Sequence, residues 1–332
     1  MRFVDRVDEL GALFGLAERG SGVPVYLYGP EGCGKTRLLR EFARRLSGRE
    51  GYLVVYIDAL EERDPGRAIY GSEELRRLLV EAARGASGSL GAVLAYAVTR
   101  VLAGVEKRLV RGKHVVVVVD DVARPIGLDS VEAYVKSLLR LLEYDLAEKE
   151  PASALLVAST SEGLSLERLR RHPTWLGLRL LWGMPRDGFE ELASILGAPS
   201  RDAVEEAWEL TGGNPRALIQ IATIYQWSTE AWLHDLDISV VVPVLARIRA
   251  EGLLEELHTL LEDPDAAVTR ASPRLQRLVR LLTEHNLFIY KAATTLAGKP
   301  LPPSPEQGIG EYYAWQLPAY RTLLQERLQA KK

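Results

Sequence analysis

The residues best suited to chemistry stand eight in a row, Gly29-Pro30-Glu31-Gly32-Cys33-Gly34-Lys35-Thr36. They satisfy the spacing G-x-x-x-x-G-K-[ST], with the apolar run VYLY before them and the amphipathic TRLLREFARRL after them, a strand–turn–helix context. Glycines let the backbone bend until successive N–H groups face one point, and the start of a helix adds a favourable dipole. A cradle of this kind fits a polyphosphate. Lys35 is expected to bridge the β- and γ-phosphates, and the Thr36 hydroxyl suits the oxygen shell of Mg²⁺. Arg37, next on the helix, joins the nucleotide-binding group. Cys33 has no neighbouring histidine to make a reactive thiolate, so it reads as a small residue that fits the loop.

A second cluster completes that chemistry. The run His114–Asp121, HVVVVVDD, reads as a buried strand ending in two carboxylates. Asp120 at the strand tip is expected to orient Mg²⁺ together with Thr36, and Asp121 to polarise the attacking water. Asp121 is one methylene shorter than a glutamate would be, which leaves a longer water path or slow hydrolysis. The next strand ends ALLVAST, which puts Ser159, Thr160 and Ser161 at the sheet edge where ligands of open α/β sheets bind. Thr160 is taken as the hydroxyl that touches the water or the γ-phosphate, although Ser and Thr also form ordinary turns.

These residues need a parallel sheet to hold them. Five β-rich runs, Val25–Tyr28, Tyr52–Ile57, His114–Val119, Ala154–Ser159 and Leu178–Trp182, are too widely spaced for hairpins. Their continuous hydrophobicity fits strands covered on both faces, with Thr36–Leu46 and Ser130–Leu146 among the covering helices. After Pro185 the pattern turns helical: Arg186–Leu196, Arg201–Thr211 and Pro215–Tyr225 read as three helices of a small lid. Helical pattern continues to about Asn286. Phe288–Ala292, a Pro/Gly-rich loop and Glu311–Trp315 then read as the two strands of a wing. The expected division is 1–186, 187–228 and 229–332.

At 332 residues, several domains are expected. A net charge of -3 rules out a uniformly basic nucleic-acid coat but not a local basic surface. One cysteine excludes a disulfide framework and a multi-cysteine metal site, the N-terminus lacks a signal-peptide core, and no apolar run is long enough to span a bilayer. A cytoplasmic location is therefore expected. Arginine makes up 33 of the 42 cations and asparagine occurs only twice, a balance compatible with a thermophilic source and equally with GC-rich codons.

Taken with Phe3-Val4-Asp5-Arg6, Glu9 and Leu10, and with Thr211-Gly212-Gly213-Asn214-Pro215-Arg216, these motifs resemble the archaeal ATPases of the AAA+ and STAND lineages. The late Tyr312-Tyr313-Ala314-Trp315-Gln316 with Pro318 is similar to the end of the wing in such proteins. The resemblance implies a parallel-sheet P-loop NTPase in strand order 5-1-4-3-2, a helical lid, a C-terminal winged helix, and ATP or ADP with Mg²⁺ as ligands. It also implies that Arg6 lies near the base, unless it is only an exposed helix residue. It places Pro215 against the base or ribose and Arg216 as a lid arginine sensing the nucleotide, though Gly212–Pro215 also reads as a plain helix boundary. Arg168, Arg170 and Arg171 occupy the stretch where relatives carry an arginine finger, Arg171 foremost. A finger works in trans and implies a homo-oligomer, whereas a solvated helix face explains the same residues.

Before the proposed wing, Arg270, Arg274, Arg277 and Arg280 recur at spacings of four, three and three. On a helix inserted in the major groove they form the footprint of duplex DNA; on an Arg-rich protein they also serve as a solubilising surface. Two functions compete: an ATPase that couples hydrolysis to lid motion and duplex DNA, and a nucleotide-dependent switch with a protein partner.

Overall fold

A computed structural model describes residues 2–84, 88–161, 163–169 and 177–329. Its centre is a sheet of β1 (Val25–Tyr28), β2 (Tyr52–Asp58), β3 (Ile69–Gly71), β4 (His114–Asp120), β5 (Ser153–Ser159) and β6 (Leu178–Leu180), ordered β3-β2-β4-β5-β1-β6. The pairs β2/β4, β4/β5, β5/β1 and β1/β6 are all parallel. Residues Val115 to Asp120 of β4 are buried, because both faces of this central strand are covered. One core packs Tyr26, Val117 and Val119 against the helices Glu73–Arg84 and Leu90–Gly104. The other packs Leu27, Val116 and Val118 against Val7–Arg19 and Lys35–Leu46.

Three features depart from the sequence reading. The short β3 lies antiparallel on β2, an edge strand of three residues with too little pattern to read. The expected helix Ser130–Leu146 is α-helical only over Val131–Arg140 and then widens into a π-turn run, Leu141–Leu146. The fifth strand stops at Leu180, since the chain leaves the sheet after Leu181 N donates to Tyr28 O at 2.8 Å.

Beyond the sheet, helices Arg186–Ile195, Arg201–Thr211 and Pro215–Thr223 bury Phe189, Ala207 and Leu218 in a separate core. Val4 from the N-terminus and Leu317 and Ala319 from the far end share that core. Further helices follow through Pro273–Glu284, then β7 (Phe288–Tyr290) pairs antiparallel with β8 (Tyr313–Trp315). A last helix, Pro318–Gln329, which sequence reading left unassigned, lies against Arg201–Thr211.

The C-terminal half is stitched to the sheet. Leu180 N donates to Thr294 O at 3.0 Å and Leu296 N donates to Leu180 O at 2.9 Å, so the segment after β7 extends the sheet beyond its edge strand β6. Among the described residues no helix is long and apolar enough to cross a membrane.

Candidate active site

The loop between β1 and the helix Lys35–Leu46 has the geometry its glycines permit. Gly29 has φ 155°, and a Cβ there would sit 1.9 Å from Leu181 O. Gly32 and Gly34 have φ 82° and 103°, and Gly34 caps the helix that Lys35 begins. Lys35 is buried, with Nζ donating to Gly29 O at 2.9 Å and Pro30 O at 3.1 Å. Cys33 is fully buried in the core beneath the loop, and its amide donates to Pro30 O at 3.2 Å, which agrees with a packing role.

Asp120 stands beside the loop at the end of β4, 2% exposed. One carboxylate oxygen accepts from Tyr56 Oη at 2.7 Å and the other accepts from Ser159 Oγ, and the Thr36 hydroxyl lies close enough to the carboxyl to favour its charged form. Burial raises the carboxyl above its ordinary range, and the hydroxyl donors work against that shift. Tyr56 in turn accepts from Arg40 Nε at 3.1 Å, and burial pushes its phenol far above the usual range. Tyr56 escaped the sequence reading. It belongs to a different strand, and nothing local in YLVVYID marks it.

Asp121 follows at φ 53°, a left-handed conformation that aspartate tolerates better than most residues. Its Oδ1 accepts from Ser161 N at 2.9 Å and Ser161 Oγ at 2.8 Å, while its own amide donates to Ser159 Oγ at 3.0 Å. A cavity of about 700 Å³ runs past Lys35, Thr36, Asp121, Ser161, Pro215 and Arg216. Thr160 does not line it. That residue is buried, its amide donates to Leu27 O at 3.1 Å, and its Oγ1 accepts from Ser165 Oγ at 3.4 Å. The expectation for Thr160 therefore moves to Ser161, because adjacent residues leaving a strand face opposite sides.

The lid closes one side of this cavity. Asn214 caps the helix Pro215–Thr223, and its Nδ2 donates to Glu31 O at 2.7 Å. Arg216 Nη1 donates to Glu31 Oε1 at 2.7 Å, so its guanidinium is held by the loop's own carboxylate. A narrow apolar cleft of about 50 Å³ between Phe3, Met184, Leu192, Pro215 and Ile219 adjoins the cavity. Arg37 and Arg6 also border this cleft. Arg6 is buried, however, and spends its guanidinium on Cys33 O at 2.8 Å, Trp182 O at 2.7 Å and Glu9 at 2.7 Å. It therefore holds the phosphate loop in place instead of reaching for a base.

The remaining candidates separate. Arg170 and Arg171 lie outside the described residues, as does the side chain of Arg168. Arg274, Arg277 and Arg280 share the helix Pro273–Glu284. Arg270 does not, since Ser272 caps that helix and Pro273 starts it. Arg274 pairs with Glu256, Arg277 with Glu251 at 2.7 Å and Arg280 with Glu284 at 3.2 Å.

No cluster of three or more His, Cys, Asp or Glu that could hold a metal ion exists among the described residues. Mg²⁺ requires none, because it keeps waters and substrate oxygens around one or two protein ligands. The Thr36 hydroxyl beside the buried Asp120 carboxylate fits that need.

Comparison with known proteins bears on the family and the fold. No curated protein matches the sequence. The fold is similar to a Walker-type ATPase of Pyrococcus abyssi, PABY2304, at TM-score 0.54 and 16% identity, covering 97% of this chain and 96% of that one. Weaker likenesses are to Cdc6p of Pyrobaculum aerophilum (TM-score 0.43, 16% identity, 98% and 96% covered) and AMPPCP-bound DnaA of Aquifex aeolicus (0.42, 15%, 86% and 88%). Residues 3–221 match the family described as an ATPase domain predominantly from Archaea, and the chain belongs to that family of ATP-hydrolysing P-loop enzymes.

Proposed function

We propose that the protein is a Mg²⁺-dependent ATPase whose nucleotide site is read by both the lid and the C-terminal half. The observation that carries this reading is Glu31. Its amide donates to Gln316 Oε1 at 2.9 Å, its carbonyl accepts from Asn214, and its two carboxylate oxygens accept from Arg216 and, at 3.2 Å, from Asn286 Nδ2. One residue inside the phosphate loop thus touches the lid and both ends of the β7/β8 hairpin. A loop that shifts when a phosphate leaves must rearrange these contacts together.

In this reading the backbone of Gly32–Thr36 and Lys35 hold the phosphates, and Pro215 and Ile219 flank the base. Thr36 and Asp120 hold Mg²⁺, which supplies charge neutralisation on the phosphate oxygens. Tyr56 and Ser159 fix the Asp120 carboxylate, and Asp121, oriented by Ser161, positions the water. In the same reading residues 1–186 form the ATPase domain, residues 187–228 the lid, and residues 229–332 end in a winged helix.

For the output, the ion pairs of Arg274, Arg277 and Arg280 favour a switch with a protein partner over a duplex-DNA machine. Four guanidiniums, those of Arg247, Arg274, Arg277 and Arg280, pair with the three carboxylates Glu251, Glu256 and Glu284, leaving one excess positive charge locally. The DNA reading keeps one observation in its support: Arg274, Arg277 and Arg280 stand exposed on the helix directly before the hairpin.

Steady-state ATP hydrolysis by the full chain, with Mg²⁺ or EDTA and with or without duplex DNA, tests both parts, with Lys35→Ala as the blank. Mg²⁺-dependent turnover indifferent to duplex is expected. Turnover in EDTA equal to that in Mg²⁺ contradicts the metal assignment, and stimulation by duplex revives the DNA output.

A further inference from the structure

The cations around the active-site cavity are almost all committed within the chain. Lys35 is held by two loop carbonyls, Arg40 by Tyr56 and Asp58, Arg44 by Glu41 and Arg216 by Glu31. Arg37 donates to Arg2 O at 2.5 Å. Arg124 lines the same cavity, is exposed, and has neither an ion pair nor a hydrogen bond among the described residues.

The place of Arg124 is fixed by its neighbours. It stands three residues after Asp121, on the short helical turn Ala123–Ile126 that follows β4. Val122 and Ala123 beneath it are fully or almost fully buried, and Val122 N donates to Ser159 O at 3.0 Å. Ile126 and Gly127 close the turn by donating to Val122 O and Ala123 O at 3.4 and 3.0 Å. Pro125 on the other side lies against the backbone of Gly91, where an added Cβ would meet Pro125 Cβ at 3.0 Å. The backbone is therefore held while the guanidinium is uncommitted, on the wall that carries Asp121.

We propose that Arg124 is an arginine finger supplied in cis: its guanidinium binds γ-phosphoryl oxygens of ATP and stabilises the charge that develops there during hydrolysis. The inference rests on the reading of this cavity as the ATPase site and adds a residue to it. In the reaction a water oxygen forms a bond to the γ-phosphorus, and the bond from that phosphorus to the bridging oxygen breaks. The electron pair of the broken bond leaves with ADP, and the water's proton passes through Asp121 to the released phosphate. Arg124 exchanges no proton, because a guanidinium stays charged throughout. A chain that carries its own finger turns over without a neighbouring copy.

The test uses the full-length chain, Arg124→Ala, Arg124→Lys and Lys35→Ala. Fluorescently labelled ADP and ATPγS report binding, and steady-state phosphate release reports turnover. Removing an arginine finger costs about 10³-fold or more in other phosphoryl-transfer enzymes. Arg124→Ala is expected to lose at least about 100-fold in kcat, to bind ATPγS about 10-fold more weakly, and to bind ADP as the unmodified protein does. Arg124→Lys, with a charge but no fork, should recover only part of the turnover. An equimolar mixture of Arg124→Ala and Lys35→Ala should stay inactive.

Unchanged turnover in Arg124→Ala overturns the proposal. So does equal weakening for ADP and ATPγS, which places the arginine away from the γ-phosphate, and so does recovery on mixing, which makes it act in trans. Should the unmodified protein release no phosphate, the hydrolysis reading fails, and the ratio of ATPγS to ADP affinity still decides whether Arg124 meets the γ-phosphate.

Discussion

Ser161 and Thr160 differ by one position, and the structure separates them completely. Ser161 grips Asp121 through both its amide and its hydroxyl, while Thr160 faces the buried Ser165 and Tyr26 layer. Asp121→Asn should lower kcat by about 10² to 10⁴-fold, the range set for a proton-handling group, and leave ATP affinity within a few-fold. Ser161→Ala should lower kcat by about 10-fold, since it frees the carboxylate without removing it, whereas Thr160→Ala should change stability and not kcat. Phosphate-release rates alongside melting curves check all three. The phosphate loop and the paired aspartates were legible because each is contiguous and its residue types have few other uses in that order. Tyr56 was not, because its partner Asp120 lies on another strand, and of the sheet-edge group Ser159, Thr160 and Ser161 the sequence does not tell which one grips Asp121, because the side of a strand end selects it.

Helix Lys35–Leu46 carries both the start of the phosphate site and an ion cluster on its outer face. Hydrogen bonds from Arg44, then Arg45, hold the Glu41 carboxyl down at about 2 from its ordinary 4.5. A depressed carboxyl contributes stability above its unfolded value and loses it as pH falls toward the folded value. The gap in Tm between the unmodified protein and Glu41→Gln should therefore be widest near pH 7 and shrink by more than half by pH 3. At neutral pH that gap should correspond to about 1 kcal/mol of stability, as for an ion-pair cluster whose arginines are exposed. The lid's Gly-Gly-Asn-Pro turn was legible for a similar reason to the loop: an Asn cap and a Pro at the first helical position announce a helix start. What the cap also does, donating to Glu31 O from 183 positions away, no local pattern reveals. The helix Pro318–Gln329 was missed because its exposed and buried positions alternate too weakly to mark a face.

At the scale of the whole molecule, the sheet and the C-terminal half form one continuous structure. Thr294–Leu296 pairs with the edge strand β6, Leu296 enters the core beneath the phosphate loop, and Ile289 enters the core on the opposite face. Leu296→Ala should cost about 2 to 5 kcal/mol, as for other buried leucines, and should lower a single melting transition rather than split it. Two separated transitions would show the halves to be independent. Tyr320, half-buried and facing the Glu31 charge, has its phenol pushed up to about 12 by desolvation and that charge, and so stays neutral at the junction. The most direct test of coupling through Glu31 is amide hydrogen exchange across Phe288–Trp315 in the full chain, with ADP or ATPγS bound, compared between the unmodified protein and Glu31→Ala. Coupling through Glu31 predicts that exchange in this hairpin differs between the two nucleotides in the unmodified protein and that Glu31→Ala abolishes the difference while still binding both. Identical exchange in the two nucleotide states, or a difference that survives in Glu31→Ala, would contradict it.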